Sequence, residues 1–232
     1  DRVKVREAGL SQKLFVDAYE RRSGLVHVLE HDTTPEQFAG ASFVELGDFV
    51  AGAYEVEHVG DDVIAVVREG EIGGQPARVR KTFLFDGSRA APAIALEVEI
   101  TNLAASPISG RLGVEWALNV LGGGGNPSAW TEPRPGERMR FDGEGQVAGV
   151  DAFAFGNDWI GLDVRASLSP AADAWWSSID TVSISEDGFE RTHQGSAFLF
   201  SWLLHLEPGE SRTVRVGQQV TTTKDRAEDE GL

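Results

Sequence analysis

The chain has 232 residues, of which 41% are apolar, and its 37 acidic side chains outnumber 21 basic ones to give a formal charge of −16. A chain so acidic repels phosphate, and because the sequence has no segregated basic patch, nucleic acids and anionic membranes are excluded as partners. Cysteine is absent, which excludes disulfides, thiolate metal sites and cysteine nucleophiles. No apolar run approaches the ~18 residues that would cross a bilayer.

Length and composition predict one domain over residues 1–222, followed by a charged tail at 223–232 that we expect to be frayed. Met139 is the only methionine. The chain is therefore expected to be a processed product or a domain of a longer protein.

The first elements in chain order are a strand and a short helix. "GLVHVLEHDTT" predicts a strand that runs into a turn, and Thr34 can cap one or two helical turns with Pro35 at the first position. Four histidines in this segment and in later strands stand singly or are badly spaced for one metal: His27, His31, His58 and His205. We therefore predict that these histidines lie on the surface or are hydrogen-bonded within the protein, and that the chain has no metal site and no cofactor.

Further along, alternation of apolar and polar residues predicts roughly a dozen strands, among them "WIGLDVRAS", which begins at Trp159. In "AIALEVEIT", Leu96, Val98 and Ile100 share one face, while Glu97 and Glu99 share the other. Turn sequences such as "GDD", "GG", "DGS" and "EPGES" separate the strands, and no strand–helix–strand spacing occurs. The pattern predicts an all-β fold, a large antiparallel β-sandwich.

One strand carries polar groups on its non-core face. In "GVEWALNVL" the buried face is formed by Val114, Trp116, Leu118 and Val120, while Glu115 and Asn119 point the other way. A carboxylate and an amide in an otherwise apolar strand indicate a surface for a polar ligand, or a cation site. An ordinary solvated face is the alternative.

Three tryptophans are candidates for stacking on sugar rings or for packing. Trp130 lies in "GGGGNPSAWTEPRPGER" at 122–138, the one long predicted loop, where sugar stacking and loop anchoring are both open. Trp175 and Trp176 are adjacent on a strand and face opposite ways, so one is predicted to be core, and Trp175 is the ligand candidate. Trp116 and Trp202 are predicted to be core.

The late segment "TVSISEDGFERTHQGSAFLFSW" is the richest in functional side chains. Asp187-Gly188 predicts a hairpin turn, after which Glu190 and Gln194 share one strand face with a threonine between them. Such a line can hydrogen-bond sugar hydroxyls, and a solvated face with a Glu–Arg pair is the alternative. A catalytic pair of Glu186 and Glu190 is disfavoured, because the turn separates them and nothing in the sequence fixes their distance.

Four segments together resemble one known family. "QKLFVDAYERR" at 12–22, "EQFAGASFVELGDFVAGAYEVE" at 36–57, "LGVEWALNVL" at 112–121 and "SISEDGFERTHQGSAFLFSW" at 183–202 resemble, in this order, the C-terminal β-sandwich domain of glycoside hydrolase family 57, the α-amylase and 4-α-glucanotransferase group. The most specific run matches at Ser185, Glu186, Gly188, Phe189, Glu190, Arg191, Gln194 and Gly195. Ala18 stands where the family tends to show a histidine.

The resemblance implies a sandwich related to the galactose-mutarotase-like super-sandwich, attached to a (β/α)₇ barrel that holds the catalytic residues. It therefore implies a cytoplasmic, non-catalytic accessory domain that packs on this barrel and helps to bind α-glucan or maltooligosaccharide. The residues predicted to contact sugar are Trp130, Trp175, Glu190, Gln194, Glu115 and Asn119. Two alternatives stay open: a purely structural domain, and a stand-alone aldose epimerase that pairs Glu190 with His193 or His205.

Overall fold

A computed structural model describes residues 19–185 and 188–222, without the side chains of residues 183–190. The predictions for the tail at 223–232, for Glu186 and for the side chain of Glu190 lie outside the described residues. In the described part, one short helix, α1 (Pro35–Ala39), accompanies twelve strands: β1 (Leu25–Leu29), β2 (Glu55–Val59), β3 (Val63–Ile72), β4 (Gln75–Gly87), β5 (Pro92–Asn102), β6 (Ile108–Leu118), β7 (Ala129–Glu132), β8 (Met139–Arg140), β9 (Gly145–Asn157), β10 (Leu162–Ser185), β11 (Gly188–Leu206) and β12 (Ser211–Thr222). No helix in this part of the chain is long and apolar enough to cross a membrane.

The strands form one continuous antiparallel system in the order β1-β6-β11-β10-β12-β5-β4-β3-β2. The central strand, β10, has two different neighbours on one edge: β12 pairs with its residues 162–169 and β11 pairs with its residues 173–185. Along its other edge β10 pairs with β9, which in turn pairs with β7. Thus β10 belongs to both halves of the sheet, the half that contains β6 and β11 and the half that contains β5 and β12.

The two halves of the sheet pack face to face around one apolar core. Trp116 and Phe198 from the β6–β11 half lie in the same buried cluster as Leu96 and Val216 from the β5–β12 half. Alternation along β5 works as predicted, with Leu96, Val98 and Ile100 all fully buried. The predicted antiparallel sandwich is confirmed, and the core accounts for its apolar strand faces.

The outer face of the β6–β11 half is covered rather than exposed. Phe38 of α1 and the neighbouring Phe43 pack with Trp175 and Leu199 in a second buried cluster. We call α1 together with residues 41–48 the cover. The predicted cap holds α1 in place: Thr34 Oγ1 accepts a hydrogen bond from the Gln37 amide, and Gln37 Oε1 accepts one from the Thr34 amide.

Most residues of the predicted turns fall between the observed strands, although Asp86 and Gly87 of "DGS" end β4 and Ser211 of "EPGES" begins β12. Gly73 and Gly74, which join β3 to β4, adopt φ of 57° and 76°, as a two-residue hairpin turn requires. On either side of the predicted Asp187-Gly188 turn the strands pair with each other, since Ser185 at the end of β10 pairs with Gly188 at the start of β11, while Asp187 lies outside the described residues.

Two local predictions were wrong. The region 122–138 is not a single loop, because Ala129–Glu132 forms β7 and pairs with β9. Trp159 was placed in a strand with the residues that follow it, but the strand begins at Leu162 and Trp159 lies in the turn before it. Both errors concern the same end of the sandwich.

Candidate functional site

Five of the six residues predicted to contact sugar, all except Glu190, are distributed over three places. Glu115 and Trp175 lie under the cover, where each is near Leu199: Glu115 pairs with Leu199 across β6–β11, and Trp175 pairs with it across β10–β11. Asn119 and Gln194 meet beyond the end of β6, and Trp130 lies in β7. The fold therefore does not bring all six residues together in a single sugar site.

Glu115 is part of a buried polar network, which we define as Tyr19, Arg21, His27, Glu45 and Glu115. Glu115 is 0% exposed, and its Oε2 is 2.9 Å from His27 Nε2 and accepts a hydrogen bond from the Tyr19 hydroxyl at 2.6 Å. Its Oε1 lies 3.6 Å from Nη1 of Arg21. The expectation of a solvent- or ligand-facing Glu115 was wrong, because the cover and the residues before β1 close over it.

His27 links two carboxylates inside this network. Its Nδ1 lies 2.6 Å from Glu45 Oε2, while the other Glu45 oxygen accepts hydrogen bonds from the amides of Val28 and Gly47. Burial by itself lowers the pKa of His27, but the hydrogen bonds to Glu115 and Glu45 outweigh it and raise this pKa to about 9. At neutral pH the ring is therefore a buried imidazolium that donates to both carboxylates.

An apolar pocket opens above Glu45. It has a volume of about 310 Å³ and is lined by Tyr19, Ala41, Phe43, Glu45, Gly47, Asp48, Val50 and Ala51. Among the network's carboxylates Glu45 faces this pocket, with 24% of its side chain exposed, whereas Glu115 is sealed. The network thus presents one carboxylate and the Tyr19 side chain to a small apolar space.

Trp175 cannot stack on a ligand in this arrangement. Only 4% of the residue is exposed, because Phe38 lies 6.4 Å away, ring to ring, and the guanidinium of Arg111 lies 4.9 Å from the indole centre. Arg111 is held there by hydrogen bonds to Asp173 and Ser201. The prediction that Trp175 and Trp176 face opposite ways is correct, but both of them are buried.

Asn119 and Gln194 are brought together at the end of β6. The Asn119 side-chain amide donates to the Gln194 carbonyl at 2.6 Å, and its oxygen accepts from the Leu121 amide at 2.6 Å. Gln194 in turn donates to Thr181 Oγ1. Both side chains are exposed but already hydrogen-bonded, so their contact with sugar stays a prediction. Glu190 pairs with Ser183 in the strand ladder, and its side chain lies outside the described residues.

The neighbouring histidine is also engaged. His193 Nδ1 lies 2.8 Å from Ser178 Oγ, and the Gly124 backbone approaches so closely that an added Cβ would lie 3.1 Å from the His193 Cβ. His205 is fifteen residues farther along β11 than Glu190, or roughly 50 Å of extended strand. The pairing of Glu190 with His205 in an epimerase is therefore excluded by the fold.

Trp130 is buried as an anchor, with 5% of the residue exposed. Its indole nitrogen donates to Asp158 Oδ1 at 2.8 Å, and the Arg138 guanidinium lies 3.8 Å from its ring centre. Of the two readings that the sequence left open, this packing favours anchoring. What Trp130 anchors is the turn Asn157–Gly161.

That turn carries the tryptophan whose ring is open to solvent. Of the six tryptophans in the chain, Trp159 is 78% exposed, whereas the other five are at most 5% exposed: Trp116, Trp130, Trp175, Trp176 and Trp202. We call residues 157–161 the tryptophan turn. Leu121, which is 61% exposed, and Ile160 are further exposed apolar residues at this end.

A shallow cleft adjoins the tryptophan turn, and we call it the turn cleft. It has a volume of about 260 Å³ and is lined by Pro127, Ala129, Trp130, Arg138, Met139, Arg140 and Asp158. Arg138 pairs with Glu132 and Asp158, and Arg140 pairs with Asp142. The hydrogen bond from Arg140 and a further one from the Gly125 amide lower the pKa of Asp142 to about 2.

Sequence reasoning missed Trp159 and the partnership of His27 with Glu45. An Asn157-Asp158 pair followed by Gly161 is the turn signal that could have moved Trp159 out of the strand. No comparable signal links His27 to Glu45, because they lie in different segments that meet only through tertiary packing.

A larger groove, about 620 Å³, runs over the outer face of β2–β5. Four glutamates and three arginines line it, and these include the exposed ion pair of Glu57 and Arg80. Its alternating charges are those of an ordinary solvated sheet face. Within residues 19–185 and 188–222, no group of three or more histidine, aspartate or glutamate side chains is arranged to hold a metal ion.

Comparison with known sequences gives a family match over most of the chain. Residues 1–215 match the family described as alpha-amylase/4-alpha-glucanotransferase, C-terminal. The chain is 28% identical over 196 residues to a 4-alpha-glucanotransferase of Thermococcus kodakarensis, a match that covers 82% of this chain and 25% of that protein. It is 27% identical to alpha-amylase 1 of Dictyoglomus thermophilum, over 90% of this chain and 29% of that protein. The chain thus spans about a quarter of the length of these relatives.

Comparison with solved structures agrees on the fold. The crystal structure of 4-alpha-glucanotransferase from Thermococcus litoralis superposes with a TM-score of 0.71 at 23% identity, covering 92% of this chain and 29% of that one. A putative aldose 1-epimerase from Escherichia coli superposes with a TM-score of 0.54 at 15% identity, covering 88% and 81%. The expected relation to mutarotase-like sandwiches is confirmed as a likeness of fold.

Proposed function

Because the chain belongs to the family of alpha-amylase/4-alpha-glucanotransferase C-terminal domains, we propose that it serves an α-glucan-active enzyme as an accessory, non-catalytic domain. In this role it packs against the catalytic barrel of that enzyme and contributes contacts to α-glucan or maltooligosaccharide. Hydrolysis or transfer of the glucan takes place on the barrel. A cytoplasmic location is part of the same proposal.

The observation that carries this proposal is the extent of the family match. It covers residues 1–215, yet relatives named for glucan chemistry are matched over only 25% to 29% of their own length. The described geometry agrees with a supporting role. The carboxylate Glu115 is sealed by hydrogen bonds, the Asn119 side chain holds the backbone of Gln194 and Leu121, and the Gln194 side chain donates to Thr181 Oγ1.

Expression of the 232-residue chain alone tests the proposal. With starch and maltodextrin as substrates, we expect no release of reducing ends and no change in chain-length distribution. When a catalytic barrel of this family is expressed separately and mixed in, we expect the two to co-purify. Turnover by the isolated chain contradicts the proposal, and co-purification without affinity for maltooligosaccharides reduces it to a purely structural role.

An aldose epimerase is the second candidate, and one observation favours it. The pocket above Glu45 offers a carboxylate, backed by the His27 imidazolium, to a space of about 310 Å³. Epimerisation needs a base and an acid within reach of one sugar ring. His27 is 0% exposed, so Glu45 and Tyr19 are the network members that could meet a sugar there.

Polarimetry on freshly dissolved α-glucose decides between the two. The accessory-domain proposal predicts mutarotation at the buffer rate at every concentration of the chain. Acceleration well above buffer that is lost in Glu45→Gln supports the epimerase instead.

A further inference from the structure

We propose that the tryptophan turn and the turn cleft form a glucan-binding platform, in which one pyranose ring of an α-glucan stacks on Trp159. This inference rests on the proposed function and gives it a site. We infer a sugar ring as the occupant, rather than an ion or a protein, for three reasons. They concern the exposed indole of Trp159, the rigidity of the turn that carries it, and the charge of the turn cleft.

The first reason is the exposed ring itself. Trp159 leaves 78% of its surface in water although the chain buries five other tryptophans. Indole is large and apolar, so covering a ring exposed on this scale is favourable in proportion to the area that is removed from water. The apolar face of a pyranose ring is a matching cover, because a tryptophan offers a broad rigid area with few torsions to fix.

The second reason is that the turn is held rigid from beneath. Asn157 is fully buried, and its side-chain oxygen accepts the Trp159 amide at 3.0 Å while its amide donates to the Val120 carbonyl at 2.9 Å. The next residue, Asp158, is fixed by Trp130 and Arg138. A preformed platform loses little conformational entropy on binding. Even the small binding free energy of a single sugar ring can then give measurable affinity.

The third reason is the charge of the turn cleft beside Asp158. Arg138 and Arg140 face carboxylates of Glu132, Asp158 and Asp142, so the guanidinium groups are neutralised within the protein. The cleft therefore has no uncompensated positive charge to select an anion. It offers guanidinium donors and carboxylate acceptors at close spacing, which are the groups that hydrogen-bond a neutral polyol.

The test titrates maltoheptaose into the full chain by isothermal calorimetry, with four proteins: wild type, Trp159→Ala, Trp159→Phe and Leu203→Ala. Leu203 is a matched control, because it is an exposed apolar residue of β11 outside the turn cleft. We expect millimolar or tighter binding by wild type, a loss of about tenfold or more in affinity in Trp159→Ala, and no change in Leu203→Ala. Trp159→Phe, which keeps a smaller aromatic face, should fall between.

Each other outcome has a separate meaning. Wild-type binding that persists in Trp159→Ala overturns this inference and leaves the proposed function standing. Absence of binding by wild type up to saturating maltoheptaose overturns both the platform and the glucan contact of the proposed function, while co-purification with a barrel still tests the packing role. If Trp159→Ala instead abolishes co-purification and spares maltoheptaose binding, the turn is a protein-docking surface and the inference is wrong.

Discussion

The buried network around His27 and the tryptophan turn are opposite departures from the usual arrangement of a globular protein. In the network, charged side chains lie inside, where Glu115 and His27 are both 0% exposed. In the turn, a large apolar side chain lies outside, with Trp159 78% exposed. Both regions are built on the same sandwich and both are held by several hydrogen bonds.

What differs is where those bonds are directed. In the network they connect the unusual groups to one another, so that each charge has an opposite charge within reach. In the turn they hold the backbone and leave the unusual group free. The comparison teaches that the network is built for stability and the turn for contact, and the following predictions can break or sharpen that distinction.

The largest effect is expected from Glu115→Gln. This change keeps the side-chain volume but removes the buried negative charge that faces His27, Arg21 and Tyr19, so that His27 loses one of its two carboxylate partners. We expect the free energy of unfolding to fall by about 3–5 kcal/mol, measured by urea denaturation.

Glu57→Gln is the matched control, because Glu57 forms an exposed ion pair with Arg80. Its cost should stay below about 1 kcal/mol. Equal losses for the two variants would mean that the buried network is no more important to stability than a surface pair.

The pH dependence of stability is the second expectation. His27 has an ordinary pKa of 6.5 and a folded-state pKa of about 9, so protonation favours the folded state. Its contribution, on the order of 3 kcal/mol, is complete below pH 6.5 and is lost as the pH rises through about 9.

Denaturation midpoints between pH 6 and pH 9.5 measure this effect. In His27→Gln the decline over that interval should flatten, whereas in His205→Gln, which alters an exposed histidine, it should remain. A wild-type midpoint that does not change across this interval would contradict the imidazolium assignment.

A smaller effect is expected from Thr34→Ala at the start of the cover. The change removes the hydroxyl that accepts the Gln37 amide and should cost about 1 kcal/mol, while Thr34→Ser should be nearly neutral. If the cover seals the network, Thr34→Ala should also speed hydrogen exchange at the Phe38 amide, which bonds to the Thr34 carbonyl. Unchanged exchange would argue that α1 stays in place without its cap.

The smallest change in stability is expected from Trp159→Ala. Because the ring is exposed and the turn is fixed by Asn157, the loss should be within about 0.5 kcal/mol by thermal or urea denaturation. A loss well above 1 kcal/mol would show that the ring packs on the protein, and would remove the contrast with the network.

The course of the strands was predictable because local alternation determines it. Leu96, Val98 and Ile100 needed no information from elsewhere in the chain to be placed in the core. The cap of α1 was predictable for the same reason, since Thr34 and Gln37 are three residues apart and satisfy each other's backbone.

The site was harder, because burial on the second face of a strand depends on what covers it. Alternation correctly put Glu115 opposite the core, but the cover that seals it comes from residues about 70 positions earlier in the chain. Trp175 was misjudged for the same reason, since Phe38 covers it from α1. The prediction for Trp159 was wrong for a local reason, because Ile160 and the strand that follows made the sequence of the turn resemble that of a strand.

The central strand has a consequence for how the molecule comes apart. Since residues 162–169 of β10 pair with β12 and residues 173–185 pair with β11, neither half of the sandwich can dissociate without breaking the backbone ladder of the same strand. Limited proteolysis should therefore not yield a surviving half-molecule, and circular dichroism and tryptophan emission should report a single coincident melting curve.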